Sequence, residues 1–272
     1  GDDFPQEHLD LFTARGINID GIEVVKGGKT FFWSGKYHND LNSRDTLETQ
    51  LNVLADFNPV VPEAYKDSEI VMLGNLHPLV QLSVLEQVKD PKLVVLDTMN
   101  FWMDNSWDEL MQVIKKVDVI TINDEEARQL TNEHSLVKAA RIISEMGPEY
   151  VVIKKGEHGA LLFNNEQIFF APALPLEEVF DPTGAGDTFA GGFVGYLAEH
   201  RDISFKSMKK AVIYGSALAS FCVEKFGTQR MEDLTAEEIE VRLQQFKKLT
   251  QFTLLKLTLF THHQNNDYLP ET

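Results

Sequence analysis

The chain has 272 residues, 43% of them hydrophobic, which is enough for one large domain with a sizeable core and argues against intrinsic disorder. Its 42 acidic and 25 basic residues leave a formal charge of −17, so a polyphosphate backbone is repelled over most of the surface and nucleic acid is not expected as a partner. The one cysteine, Cys222, has no internal partner, and with no Asn-x-Ser/Thr sequon present the chain fits a reducing, cytoplasmic setting.

Taken in order, Lys29 to Leu54 is β-rich text around a polar turn and reads as a small projecting β lid. From Ile70 onward, short apolar runs alternate with helical patterns. Strands are predicted at Ile70–Leu73, Leu93–Leu96, Val119–Ile122 and Val151–Ile153, and helices at Leu79–Val88, Trp107–Val117, Glu125–Leu130 and Leu136–Met146. Such alternation predicts an α/β fold: a three-layer α/β/α sandwich on a mostly parallel sheet. Ala160–Phe163 and Gln167–Ala171, separated by Asn-Asn-Glu, read as a hairpin. A strand ending at Val179 and Phe180 is expected next, then a helix over Phe189–His200 and a last helix over Glu237–Phe252. The longest apolar stretches, Phe189–Ala198 and Ala211–Val223, fall well short of the roughly 20 residues that span a bilayer, so no membrane association is expected. Residues 253–272 change character and read as a tail, with His262 and His263 lacking zinc-site spacing.

The most informative stretch is Asp-Pro-Thr-Gly-Ala-Gly-Asp, Asp181 to Asp187. Gly184, Ala185 and Gly186 fall where a loop enters a helix, and there unpaired amides and the helix dipole favour an anion that small side chains let in closely. Asp187 puts a carboxylate beside that seat, where its natural task is to accept a proton. A hydroxyl attacking a phosphoryl group loses its proton as it attacks, so the pair points to phosphoryl transfer to an alcohol. Two other glycine patterns are decoys. Gly27–Thr30 ends like a phosphate-binding loop, but Glu23 stands where that motif needs its first Gly. Gly184-x-Gly186 begins like a dinucleotide fingerprint, but Phe189 replaces the third Gly.

These residues resemble the ribokinase-like (PfkB) family of carbohydrate and nucleoside kinases, whose signature Asp-Thr-x-Gly-Ala-Gly-Asp is nearly matched by Asp181–Asp187. Asn123-Asp-Glu-Glu126 is similar to the family's Asn-x-x-Glu motif, Lys154–Phe163 to its strand-Gly-x-x-Gly-strand element, and Gly1–Thr30 to its Gly-Asp-Asp segment. The resemblance spans Gly1 to Phe252. It implies that Asp187 is the catalytic base, that Gly184, Ala185 and Gly186 form the anion hole, and that Asn123 and Glu126 organise Mg2+, although an Asn at a strand end also caps helices. It implies nucleotide contacts from Lys155 or its neighbour Lys154, from Gly156 and Gly159, and from Ser216 and Gly227, which bracket the adenine region. Asp181 and Thr183 resemble ligands for a monovalent cation such as K+. Close helix packing explains the small residues of Ala211–Gly227 about as well as an adenine does.

Other residues keep two readings. Asp97 and Asn100 follow a strand end and either face the cleft or cap a loop. Phe31, Phe32, Trp33 and Tyr37 either stack on a sugar or base, or pack across strands or in a homodimer interface. Cys222 reads as core. The family begins with a strand, lid strands and a Gly-Gly-x-x-x-Asn sugar loop that have no counterpart from Gly1 onward, so weak or absent activity is expected of this chain. The expected function is transfer of the γ-phosphoryl of ATP to a hydroxyl of a small sugar, with a nucleoside kinase or a non-catalytic nucleotide-binding fragment as alternatives.

Overall fold

A computed structural model describes residues 1–38 and 44–251. The expected tail at 253–272 and Phe252 therefore lie outside the described residues. Helix α1 (Gln6–Ala14) follows the opening turn, and the two aspartates before it reach forward. Asp2 Oδ2 accepts from the Gly27 amide at 2.7 Å, while Asp3 Oδ1 accepts the Thr30 hydroxyl at 2.6 Å and the Thr30 amide at 2.7 Å. The Thr30 hydroxyl, then its amide, hold the Asp3 carboxyl below its usual range. A turn already capped by two carboxylates is no phosphate loop, which agrees with rejecting the Gly27–Thr30 decoy.

Strands β1 (Phe32–Tyr37) and β2 (Arg44–Gln50) pair antiparallel as a separate two-stranded sheet, the anticipated β lid. The main sheet then builds in chain order through β3 (Ile70–Leu73), helix α2 (Pro78–Gln87), β4 (Leu93–Asp97), helices α3 (Asn100–Asn105) and α4 (Trp107–Ile114), and β5 (Val119–Asn123). Helices α5 (Asp124–Thr131) and α6 (Leu136–Met146) lead to β6 (Tyr150–Lys154), followed by the hairpin β7 (Ala160–Phe163) and β8 (Ile168–Ala171). Strand order is β3-β4-β5-β6-β7-β8, parallel up to β6 and antiparallel thereafter. The chain continues through α7 (Ala185–His200), α8 (Phe205–Cys222), α9 (Gln229–Glu232) and α10 (Ala236–Thr250).

The central strands are buried on both sides, which is why they read as unbroken apolar runs. On one face Val94, Leu96, Ile120, Ile122, Val151 and Ile153 meet Leu82, Leu110, Ile114, Ala127 and Ile143 from the helices between strands. On the other, Leu93, Val95, Val119 and Val152 meet Phe189, Phe193, Met208 and Val212 of α7 and α8. Two faces and two helical layers make the three-layer α/β/α sandwich. No helix among the described residues is long and apolar enough to cross a membrane.

Two local expectations need correction. Val179 and Phe180 form no strand: residues 172–184 are irregular, and Phe180 is 70% exposed with its amide bonded to Val223 O at 2.8 Å. A β-branched residue beside an aromatic has strand propensity, but with no neighbouring strand to pair with, that preference has nothing to act on. The following helix starts at Ala185 rather than Phe189, because Gly184 takes the left-handed conformation (φ 80°) that opens it.

Candidate active site

Side by side in the parallel sheet, β4, β5 and β6 end in Asp97, Asn123 and Lys154, so their carboxyl ends present polar groups along one rim. That rim is where open α/β sheets bind ligands. Asn123 and Glu126 form a reciprocal cap on α5: the Glu126 amide donates to Asn123 Oδ1 and the Asn123 amide to Glu126 Oε2, both at 2.8 Å. Capping, one of the two readings of Asn123, is thus present, and it fixes a buried Glu126 at the rim.

Gly184 is the N-cap of α7, and Ala185, Gly186 and Asp187 occupy its first turn. The Ala185 amide bonds Pro182 O at 3.2 Å and so already has an acceptor; the helix start still presents first-turn amides and the positive end of its dipole. Asp187 is exposed at the third helical position. The loop before the helix is pinned from behind: the Asp181 carboxylate accepts the Thr183 amide at 2.9 Å, and the Cys222 thiol donates to Thr183 O at 3.7 Å. Cys222 is buried as core, as expected, and burial, with the charges of Asp181 and Asp187, pushes its thiol pKa up against a lowering hydrogen bond to Thr188.

The two lysines separate. Lys154 Nζ pairs with Asp97 Oδ1 at 3.0 Å, and the Thr121 hydroxyl donates to the same oxygen at 3.0 Å, so Asp97 turns toward the rim's interior. A Cβ built on Gly186 would lie 3.5 Å from Lys154 Nζ. Lys155 instead closes a turn through its backbone, its amide bonding Gly159 O at 2.8 Å. Gly156 and Gly159 both have positive φ, and a Cβ on Gly159 would collide with Ala171 O, so the approach of β8 alone demands that glycine. In α8, Gly215 abuts Phe189 O and Gly192 of α7, which assigns part of the small-residue run to helix packing; Ser216 is half-buried on the same helix, and Gly227 turns the chain beyond it at φ 58°.

The remaining candidates divide as follows. Asn100 donates to Gln129 of α5 and holds α3 rather than the rim. Trp33 lies over Gly35 and donates to Thr46 at 3.3 Å, packing within its own hairpin. Tyr37 is different: its phenolic oxygen accepts the Thr183 hydroxyl at 3.1 Å, joining the lid to the loop before α7. Sequence reasoning left Asp97 and Lys154 undecided; the signal was a charged residue closing each of two otherwise apolar strands.

A family model described as pfkB family carbohydrate kinase matches residues 1–234. The chain belongs to the PfkB family. A cytidine kinase of Thermococcus kodakarensis is 33% identical over 208 residues, 75% of this PfkB chain and 73% of that protein. A ribokinase of Haemophilus influenzae is 36% identical over 138 residues, covering 49% and 42% of the two chains. The crystal structure of Methanocaldococcus jannaschii nucleoside kinase superposes with a TM-score of 0.69 over 87% of this chain and 75% of its own, at 21% identity, a likeness of fold.

Proposed function

We propose that this PfkB chain transfers the γ-phosphoryl group of ATP to a hydroxyl of a ribose-bearing small molecule. The observation that carries the reading is the first turn of α7, which holds Gly186 and Asp187 and lies against Lys154 at the end of β6. The helix start receives the phosphoryl group as negative charge develops on it, and Asp187 takes the proton of the attacking hydroxyl. Gly156 lets the nucleotide approach the β6–β7 turn, whose shape Gly159 keeps by admitting β8, with Ser216 and Gly227 flanking the adenine.

The rim suits magnesium. Among the described residues no group of three or more His, Cys, Asp or Glu forms a metal cage. Asn123 and Glu126 offer oxygen donors only, which fits a cation that keeps its waters and shares the nucleotide's phosphates. They would hold it there, and it supplies charge neutralisation to the phosphates. Asp181 and Thr183 fit a K+ ion in donor chemistry, since a hydroxyl that donates to Tyr37 retains lone pairs.

A nucleoside is the favoured acceptor, because the cytidine kinase relative matches three quarters of the chain. A free sugar is the second reading, favoured by the higher identity to a ribokinase over a shorter stretch. Turnover of cytidine, adenosine, ribose and fructose with ATP separates the two. Asp187→Asn is expected to lower turnover by ~10²–10⁴-fold and to leave ATP binding in place; turnover equal to the parent's would defeat the reading.

A further inference from the structure

We propose that His77 is a proton-operated cap: neutral, its ring closes the first turn of α2, and protonated, it lets that turn go. The device stands on the fold alone and needs no particular substrate. Every amide in the first turn of α2 ends on His77, the N-cap residue. Pro78 brings no N–H, the Leu79 amide donates to His77 Nδ1 at 3.1 Å, and the Val80 and Gln81 amides donate to His77 O at 2.9 and 3.2 Å. A ring nitrogen that accepts an amide hydrogen carries none of its own, so the proton of the neutral ring sits on Nε2. There it meets Ser106 Oγ, at the start of α4, at 3.5 Å.

The ring is half-buried and open to protons, and a second one has only Nδ1 to go to. It would face the Leu79 N–H, donor against donor, and would set a positive charge at the positive end of the helix dipole. Both effects favour the neutral ring in the folded chain, so the cap is whole at alkaline pH and fails as pH falls through the imidazole range. Asp104 of α3 and Asp108 and Glu109 of α4 lie on the helices that the ring contacts, and Glu86 stands at the far end of α2. Among the described residues none of these carboxylates pairs with His77, and that of Asp97 on β4 pairs with Lys154. Trp102, edge to face with the imidazole at 5.0 Å, attracts a cation but replaces no hydrogen bond.

More than a helix end is released. Gln81, in the same turn, donates to Gly74 O at 2.7 Å and Asp97 O at 3.2 Å, and so ties together the carboxyl ends of β3 and β4. Trp102 donates to Asn75 Oδ1 at 2.8 Å, and Asn75 donates to Met99 Sδ at 3.1 Å. Acid therefore loosens the β3–β4 end of the rim.

The test compares the parent with His77→Asn, a cap that gains no proton in this range, and His77→Ala, which has no cap. Urea midpoints are taken from about pH 8 to about pH 5, while NMR follows the His77 ring nitrogens and the Trp102 indole N–H, assigned through Trp102→Phe. At the alkaline end the parent should match His77→Asn and exceed His77→Ala by about fivefold in folding constant; at the acid end it should drop to the level of His77→Ala. The Trp102 signal should move with the His77 midpoint in the parent and stay in place in His77→Asn. A neutral ring with its proton on Nδ1, or a parent and His77→Asn that lose stability in parallel, overturns the proposal. The tautomer is read from the parent alone, so that outcome is decisive however the variants fold.

Discussion

The Thr183 hydroxyl donates to the phenolic oxygen of Tyr37 at 3.1 Å, so the last residue of β1 touches the loop that opens α7. This contact ties the small sheet to the glycine-rich helix start, and it is exposed enough to break and reform. Tyr37→Phe is expected to change stability by less than about 1 kcal/mol and to lower kcat/KM by roughly three- to tenfold, since the loop that opens α7 then loses its tie to the small sheet. Denaturant melts beside steady-state kinetics check both halves; full efficiency in the variant would show that the contact is incidental.

The seam between α7 and α8 depends on glycine. A Cβ on Gly215 would sit 2.6 Å from Phe189 O, and one on Gly192 would sit 3.0 Å from Gly215 Cα. Gly215→Ala should therefore cost about 1–3 kcal/mol through overpacking. Gly191→Ala, one residue from the seam but with nothing within 4 Å of the new Cβ, should instead gain up to about 1 kcal/mol from helix propensity. Urea midpoints of the two variants should move in opposite directions.

The end of α8 is locked by charge. Arg242 lies over the Phe221 ring at 3.7 Å and bonds Glu224 at 2.6 Å, and Arg230 bridges Glu224 at 3.0 Å and Glu238 at 2.6 Å. The Arg230 hydrogen bond, then those of Thr235, hold the Glu238 carboxyl down to about 2. Because the folded chain favours the ionised form, this stabilisation is complete above the ordinary value of 4.5 and is lost as pH falls toward about 2. Glu238→Gln should flatten the acid limb of the Tm profile in that window; an unchanged slope would contradict the assignment.

Cys222 is buried and its thiol pKa is raised, so the reactive thiolate is scarce on two counts. Its reaction with an aromatic disulfide reagent should run on the order of a hundredfold slower than that of a free thiol, and should speed up in denaturant as the core opens. A native-state rate near that of the free thiol would mean that the loop over Gly184 opens far more often than its packing suggests.

The strands were legible because they run as unbroken apolar text with no polar residue to blur them: Ile70–Leu73 and Ala160–Phe163 match their predicted bounds, and helix α6 matches Leu136–Met146. Helix α3 was not legible, since Asn100–Asn105 is too short for a helical period to emerge. Gly184–Gly192 concealed the first turn of α7, because glycine carries no hydrophobic stripe. The Asn123 and Glu126 motif stood out in the sequence, and the structure joins the two as a cap on α5; Asp187 stood out likewise and lies in the first turn of α7. The pairing of Asp97 with Lys154 did not stand out, for it depends on the register of three strands that lie far apart in sequence, and the Tyr37–Thr183 contact depends on how a separate hairpin lies over the main body.

Neighbouring strands of the large sheet follow one another along the chain, so each new strand joins an edge that already exists and none has to wedge between two predecessors. Growth of this kind can keep pace with a ribosome. Its vulnerable moment comes late: Leu93, Val95, Val119 and Val152 receive their cover only when α7 and α8 emerge. A nascent chain stalled at Phe180 would carry a nearly finished sheet with one greasy side bare, and that species should be the one a chaperone holds.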